Sequence, residues 1–290
     1  MQYSLFRDII RLGDVMKNVV TAFKEHKEFK RIKYWDANDL TFERDTYSPP
    51  HYADTIEILV NKGSEGELYV CGKRYELCGE QAFYIPPYGV HSTRYKKSGG
   101  IMTVLKINLE TLRSIFDLEA ILKEEGIVLS ELPYMLRDIS AATELERSLK
   151  SFSNLPEGII KILTFFEALN SEQHLHPESL PLPSANVEIA NIIKWTETSF
   201  KSPISLNDAA EFFGYNKNYF CKKFKTFTGV TYLDYLNTLR ISEACRLLKN
   251  GMSVSDVCEN CGFTNISYFI QLFKRKMGTT PKKYAAGNRF

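Results

Sequence analysis

Two segments in the last third of the chain, residues 204–235 and 252–284, are copies of one pattern. The first part of each copy matches at an offset of 48, and the second part matches at an offset of 49, after one inserted residue. An internal repeat of this kind predicts one supersecondary unit that is used twice. The matched pairs are Ser205/Ser253, Asp208/Asp256, Glu211/Glu259, Gly214/Gly262, Tyr219/Tyr268, Phe220/Phe269, Phe224/Phe273, Lys225/Lys274, Gly229/Gly278, Thr231/Thr280 and Tyr235/Tyr284.

Each copy carries the signals of two helices joined by a tight turn. In the first copy, Ser205 is suited to cap a helix N-terminus, and Asp208 places a negative charge in the first turn. Gly214 ends this helix, because glycine readily adopts the left-handed conformation found just past a helix. A second helix with regularly spaced aromatic residues follows and stops at Gly229. The pattern predicts a helix-turn-helix in each copy.

The second helix of each copy is rich in side chains that contact DNA in other proteins. Asparagine and glutamine pair with adenine, lysine can reach guanine, and basic residues near helix ends suit phosphates. The alternative is an ordinary solvated face, but the same glycines and the same charge polarity in both copies favour DNA contacts. The predicted DNA-binding residues are Asn216, Lys217, Asn218, Lys222, Lys223, Lys225, Thr264, Asn265, Ser267, Tyr268, Gln271, Lys274 and Arg275.

The segment between the two copies, residues 231–251, has an apolar stripe at helical spacing. About 20 helical residues span about 30 Å, and successive major-groove segments on one face of B-DNA lie about 34 Å apart. We therefore expect this helix to hold the two units in adjacent major grooves. Because the inserted residue falls at the start of the second recognition helix, we expect different side chains at different angles and different, non-palindromic half-sites.

The charge of the chain is unevenly distributed. Residues 185–290 contain 15 Lys+Arg and 8 Asp+Glu, a net charge of +7, whereas residues 1–184 carry a net charge of −5. A basic domain is the electrostatic signature of a protein that binds the phosphate backbone. The near-neutral total therefore hides a basic C-terminal part and an acidic N-terminal part.

Residues 185–290 resemble the DNA-binding domain of the AraC family of bacterial transcription regulators. The resemblance implies a seven-helix domain with two major-groove helices and a first helix at 186–200. Two positions depart from the family pattern: Ala285 and Lys222 stand where arginine is frequent, and lysine weakens the expectation of bidentate guanine reading. The matching positions are Gly262, Phe263, Ser267, Tyr268, Phe269, Phe273, Lys274, Gly278, Thr280, Pro281 and Tyr284.

The N-terminal half reads differently. Residues 40–110 contain short alternating or β-branched runs separated by glycine, which predict a string of strands and turns. This stretch resembles the cupin-like sensor barrel that often precedes the AraC-type domain. We therefore predict a two-domain α+β protein. Its segments are a helical extension (1–39), an effector-binding barrel (40–110), a helical packing or dimerisation region (111–175), a proline-containing linker (176–184) and the DNA-binding domain (185–290).

The barrel segment contains a partial set of metal-ligating residues. His51, Glu57 and His91 match three positions of the cupin metal set, but Ala53 takes the second histidine position. We therefore favour a polar pocket without metal, for an uncharged or cationic small molecule such as a sugar; residues without any ligand are the alternative. Alternation along strands places further side chains on the same inward side. The predicted effector-pocket residues are His51, Thr55, Glu57, His91, Thr93 and Tyr95.

The remaining features narrow the class of protein. Six cysteines without a secretory signal suit a reducing cytoplasm, and no apolar run approaches the roughly 20 residues of a membrane span. Cys258 and Cys261 align with apolar positions of the first copy and are predicted to lie in the core. We expect no cofactor and no catalytic residues. Expected partners are double-stranded DNA, a small-molecule effector, a second copy of the chain and, for a regulator, RNA polymerase.

The sequence thus predicts a ligand-gated transcription regulator that is not an enzyme. Two alternatives stay open. One is a metal-dependent cupin enzyme fused to a DNA-binding domain, which the missing second histidine disfavours. The other is a regulator without an effector.

Overall fold

The computed structural model describes residues 34–40, 47–97, 99–127, 129–136, 138–151, 154–171 and 184–287. Most of the predicted N-terminal extension, and the predicted linker up to residue 183, lie outside these ranges. Among the described helices, none combines the length and apolarity needed to cross a membrane.

The N-terminal part is built on two antiparallel sheets. One has the strand order β1-β8-β3-β6-β9, and the other has the order β2-β7-β4-β5. The inner faces of the sheets meet; for example, the rings of Tyr75 and Phe83 lie 5.3 Å apart. The described strands thus form a cupin-like arrangement of two separate sheets. The strands are β1 (Trp35–Leu40), β2 (Tyr47–His51), β3 (Ile56–Lys62), β4 (Gly66–Val70), β5 (Lys73–Leu77), β6 (Glu80–Ile85), β7 (His91–Tyr95), β8 (Ile101–Ile107) and β9 (Tyr134–Met135).

The prediction of a helical extension over 1–39 is wrong at its C-terminal end, because β1 begins at Trp35. Trp35 and Ala37 alternate onto the core, so the segment fits an edge strand paired with β8. A Cβ atom at Gly158 would overlap the Trp35 ring, so glycine is needed for this approach.

Four helices cover the outer face of the five-stranded sheet. Side chains of β3 alternate: Ile56, Ile58 and Val60 join the core under these helices, and Leu59 joins the core on the other side. The predicted helical region 111–175 is therefore largely helical, although it also supplies β9. The helices are α1 (Leu109–Arg113), α2 (Leu118–Glu124), α3 (Ser140–Ser151) and α4 (Leu155–Ser171).

Residues 184–287 form seven helices, as the family resemblance implied. The first begins at Ser184, the last residue of the predicted linker. Gly214 and Gly262 have φ angles of 71° and 73°, which confirms their predicted role in the two turns. The helices are α5 (Ser184–Ser199), α6 (Leu206–Phe212), α7 (Lys217–Thr228), α8 (Tyr232–Lys249), α9 (Val254–Asn260), α10 (Ile266–Met277) and α11 (Pro281–Gly287).

Helix α8 belongs to two hydrophobic cores. Its N-terminal half packs Tyr232 and Tyr235 with the first helix-turn-helix unit, α6 and α7. Its C-terminal half packs Ala244 and Leu248 with the second unit, α9 and α10, in a core that also holds Cys258 and Cys261, as predicted. One continuous helix therefore joins both units.

Arg240, in the middle of α8, fixes the two units to each other. Its side chain is 7 % exposed and donates hydrogen bonds to the backbone oxygens of Phe200, Ser202 and Ile204, at 2.9, 2.9 and 3.0 Å. These residues form the loop that enters the first unit. The guanidinium also lies over the ring of Phe263, at the start of the second unit, 5.4 Å from its centroid.

We predict that Arg240→Ala lowers the free energy of unfolding by about 2–4 kcal/mol, since three loop carbonyl oxygens lose a charged donor that is itself buried. Chemical denaturation followed by circular dichroism measures this loss. Arg246→Ala is the matched control, because Arg246 lies exposed on the same helix and, among the described residues, pairs with Glu243 alone. We expect the control to unfold like the wild type; equal effects of both changes would contradict the role assigned to Arg240.

Candidate functional site

The two recognition helices begin in the same way. Helices α7 and α10 each contain 12 residues, and each is capped by an asparagine: the side chain of Asn216 accepts from the backbone N–H of Tyr219, and that of Asn265 accepts from Tyr268. The caps are 49 residues apart, whereas the turn glycines Gly214 and Gly262 are 48 apart. The inserted residue therefore lies in the second turn, ahead of the helix, and side chains along the two helices keep the same register.

Most of the predicted DNA-binding side chains are exposed and lack a charged partner. Among the described residues, no acid lies within ion-pair distance of Lys217, Lys222, Lys225, Lys274 or Arg275. Their charges are thus available to an external anion. The exposed members of the predicted set are Asn216, Lys217, Asn218, Lys222, Lys225, Thr264, Asn265, Ser267, Tyr268, Gln271, Lys274 and Arg275.

Three members of the set also have structural tasks. Asn216 and Asn265 are the helix caps, so their side-chain oxygens are already engaged. The hydroxyl of Tyr268 accepts a hydrogen bond from the side-chain nitrogen of Asn237 at 3.2 Å, which ties α10 to α8. These residues position the recognition helices whether or not they touch DNA.

Lys223 departs from the predicted outward set. Its ammonium group bonds to the carboxylate of Glu188 on α5 and lies 3.2 Å from the hydroxyl of Tyr215, and its side chain is 16 % exposed. Although burial opposes it, the bond to Glu188 raises the pKa of Lys223. Lys223 lies on the side of α7 that faces α5, so its charge is neutralised within the protein. The pattern of the repeat gives no sign of this, because Glu188 precedes the repeat.

The second candidate site joins the two sheets. His51 on β2 and His91 on β7 belong to the four-stranded sheet, and Glu57 on β3 belongs to the five-stranded sheet. One potential ligand atom from each of the three residues lies within 4.8 Å of the others. Nε2 of His91 is 3.0 Å from Oε2 of Glu57, and the two imidazole ring centroids are 4.2 Å apart. The structure thus brings together the three residues that the sequence singled out.

The other predicted pocket residues are buried, and they lie close to these three residues along the chain. Thr55 immediately precedes β3. Thr93 and Tyr95 occupy every second position after His91 along β7, so their side chains lie on the same face as that of His91. Their exposed fractions are 9 %, 6 % and 2 %. Burial raises the pKa of Tyr95 to about 12, so its hydroxyl stays protonated.

Burial and neighbouring charges determine the protonation states of His51 and Glu57 in this cluster. Burial, with help from neighbouring His91, lowers the pKa of His51 to about 4, so the imidazole is neutral near pH 7. Burial alone would raise the pKa of Glu57, but His91 and Lys106 together lower it to about 2. Nζ of Lys106 lies 2.6 Å from Oε1 of Glu57. The cluster therefore combines an ionised carboxylate, at least one neutral imidazole and a lysine.

The outer face of the same four-stranded sheet holds the C-terminal domain. Helix α7 contacts β4, and helices α5 and α8 contact β2. Gly229, just past α7, packs so close to the sheet that a Cβ atom there would lie 2.5 Å from the ring of Tyr69.

Two buried polar contacts at this interface flank His91. The backbone N–H of Val90 donates to Oδ1 of Asn186 on α5 at 3.0 Å, and Nδ2 of Asn186 donates to the backbone oxygen of Tyr88 at 2.9 Å. The hydroxyl of Ser92 donates to the backbone oxygen of Thr228 at 2.5 Å. We call these contacts of Asn186 and Ser92 the interdomain clamp. Sequence reasoning missed it, because a contact between two domains leaves no periodic signal.

Comparison with known proteins shows which domain family the helical C-terminal part matches. Residues 209–287 match the family described as "Helix-turn-helix domain". The chain is 26 % identical over 151 residues to the uncharacterized HTH-type transcriptional regulator YpdC of Escherichia coli (strain K12), and the match covers 51 % of either chain. It is 22 % identical over 248 residues to the HTH-type transcriptional activator RhaS of Escherichia fergusonii, covering 82 % of this chain and 88 % of RhaS. Among solved structures, ToxT from Vibrio cholerae aligns with a TM-score of 0.43 and 16 % identity over 87 % of this chain and 98 % of ToxT.

The family match spans both recognition helices, and the relative RhaS extends the likeness over most of the chain. The geometry agrees with it: two helix-turn-helix units share one linking helix and present basic, unpaired side chains. The C-terminal part of the chain is an AraC-type helix-turn-helix domain, and these findings support an AraC family transcription regulator.

Proposed function

We propose that this transcription regulator reads two adjacent major-groove segments with α7 and α10, and that an effector bound at the His51–Glu57–His91 cluster controls how it does so. One observation carries the control: the residues on either side of His91 both form hydrogen bonds to the DNA-binding domain.

The DNA-reading part of the proposal rests on the geometry of α8. Its 18 residues span about 27 Å at 1.5 Å per residue, which is comparable to the spacing of about 34 Å between major-groove segments. Because the two recognition helices keep the same register, the difference in what they read comes from side-chain identity. Lys222 and Gln271 occupy equivalent positions, and so do Lys217 and Ile266. Two different half-sites follow.

We predict that Lys222→Ala and Gln271→Ala each lose about 1–3 kcal/mol of discrimination at one base position. Lys274→Ala is expected to weaken binding to all sequences alike and to reduce the salt slope by about 1, as for a lost phosphate contact. Fluorescence anisotropy on a panel of single-base variants at several salt concentrations measures both effects.

Lys161→Ala is the control for loss of a positive charge, because Lys161 lies on α4 in the N-terminal part of the chain. The DNA affinity of this variant should equal that of the wild type. A uniform loss of affinity in all three recognition-helix variants would show that the assignment of base-reading residues is wrong.

The control part of the proposal rests on the two faces of the four-stranded sheet. A ligand that binds both His51 and His91 on the inner face pulls their imidazole rings towards itself, and this must shift β2 or β7. On the outer face, β2 contacts α5 and α8, and β7 carries Ser92 of the clamp. An effector can change DNA binding only if it favours one domain arrangement over another, and the clamp provides contacts that differ between arrangements.

We predict that breaking the clamp changes DNA affinity without any change in the recognition helices. Asn186→Ala and Ser92→Ala should both shift the affinity in the same direction, by about fivefold or more, which is typical of coupling between sites. Asn191→Ala is the matched control on the exposed side of α5 and should leave affinity unchanged. Wild-type affinity in both clamp variants would separate the sensor from DNA binding and contradict the proposal.

The remaining predicted partners and ligands extend the proposal. A homodimer would form through the helical layer, where α4 exposes Ile160, and RNA polymerase would be met at the promoter. Sugar as the effector stays a prediction based on polar and aromatic composition alone. We propose a regulatory rather than an enzymatic role for the cluster.

A further inference from the structure

We propose that His51, Glu57 and His91 form a binding site for one divalent first-row transition metal ion, and that this ion is the effector. The second half rests on the proposed function, whereas the site itself does not. The placement of the ligand atoms favours a metal site over the metal-free pocket expected from the sequence.

The hydrogen bonds of both histidines leave the same nitrogen free. Nδ1 of His51 lies 2.8 Å from the backbone oxygen of Pro49, and Nδ1 of His91 lies 2.9 Å from that of Gly89. A carbonyl oxygen only accepts, so each Nδ1 carries the hydrogen. In the neutral imidazole, each Nε2 then carries a lone pair that can bind a metal ion. A backbone carbonyl that holds Nδ1–H in this way is the usual support of a metal-binding histidine.

Oε2 of Glu57 has no well-directed hydrogen-bond donor among the described residues. The side chain is 2 % exposed, and neither of its oxygens accepts a well-directed hydrogen bond from the described residues. Lys106 lies against Oε1. Oε2 faces Nε2 of His91 at 3.0 Å, but the two groups are not aligned for an N–H···O bond. A buried carboxylate oxygen without a partner is costly, so a positive centre at Oε2 would stabilise the cluster.

A metal ion satisfies all three groups, whereas a proton satisfies two. A proton shared by His91 and Glu57 would leave Nε2 of His51 without a partner in the same cluster. Ligands at about 2.0–2.1 Å from a tetrahedral ion lie about 3.3 Å from one another. The ligand atoms here, within 4.8 Å of one another with one pair at 3.0 Å, bracket that value. Small side-chain movements would complete the site.

The ligand set also selects the class of ion. Two imidazoles and one carboxylate suit Zn²⁺ and its first-row neighbours, whereas Mg²⁺ and Ca²⁺ prefer oxygen ligands. The ligands come from both sheets, so an ion would tie β2 and β7 to β3. Because His91 lies between Val90 and Ser92, this tie acts directly on the interdomain clamp.

The test begins with binding. The full chain, purified with a chelator and then dialysed, is titrated with Zn²⁺ by calorimetry and with Co²⁺ by visible absorption. We expect one equivalent to bind, and His51→Ala and His91→Ala to bind at least about 100-fold more weakly. Glu57→Gln, which keeps the shape of the side chain, is the second variant should the histidine variants fail to fold. The absence of saturable Zn²⁺ binding, or binding that these changes leave intact, would overturn the site.

The second measurement is DNA affinity with and without Zn²⁺. We expect Zn²⁺ to change the affinity of the wild type by about fivefold or more. Ser92→Ala keeps all three ligands, so it should bind Zn²⁺ normally while its DNA affinity no longer responds. Stoichiometric Zn²⁺ binding without any effect on DNA affinity would overturn the effector role and leave the site standing. A response to a sugar but not to Zn²⁺ would overturn the metal proposal and uphold effector control.

Discussion

A single buried cation sets the geometry on which DNA reading depends. The guanidinium of Arg240 cannot lose its proton, and burial makes it costly without partners. Three loop carbonyl oxygens and the ring of Phe263 supply them. Gly262 follows from the same constraint, because a Cβ atom there would lie 2.5 Å from the oxygen of Ser202. The loop before the first unit and the turn of the second are therefore locked to one point of α8, and the two recognition helices cannot move independently.

The four-stranded sheet connects the two helix-turn-helix units to the rest of the molecule. Its inner face carries His51 and His91, and the clamp with Asn186 and Thr228 is formed by the loop before β7 and by Ser92 on the outer face. Alternation along β7 makes this possible, since His91 and Ser92 point to opposite faces. Ser92 is 3 % exposed although it points away from the inner core. A strand buried on both faces by different partners can transmit a change on one face to the other.

The sequence predicted what repeats or alternates, and it missed what depends on contacts between distant segments. The repeat identified both helix-turn-helix units, their glycine turns and the linking helix, because caps and periodicity are local. The outward set was right in exposure except at Lys223, whose partner Glu188 lies 35 residues away. The gathering of His51, Glu57 and His91 was expected from the resemblance to cupins, but the roles of Lys106, Asn186 and Ser92 depend on how the two sheets pack together and how the helical domain packs on the four-stranded sheet. The strand at Trp35 was missed because its polar alternation resembles a loop or a helix face.

We propose that α8 and Arg240 hold two different recognition helices about one DNA turn apart, on the same face of the duplex. Hydroxyl-radical footprinting of the full chain on a binding site selected in vitro tests it most directly. We expect two protected segments on one face of the duplex, with centres about 10 base pairs apart and unlike sequences at the two positions. Protection confined to a single segment at saturating protein, or two segments of identical inverted sequence within the site of one chain, would contradict it.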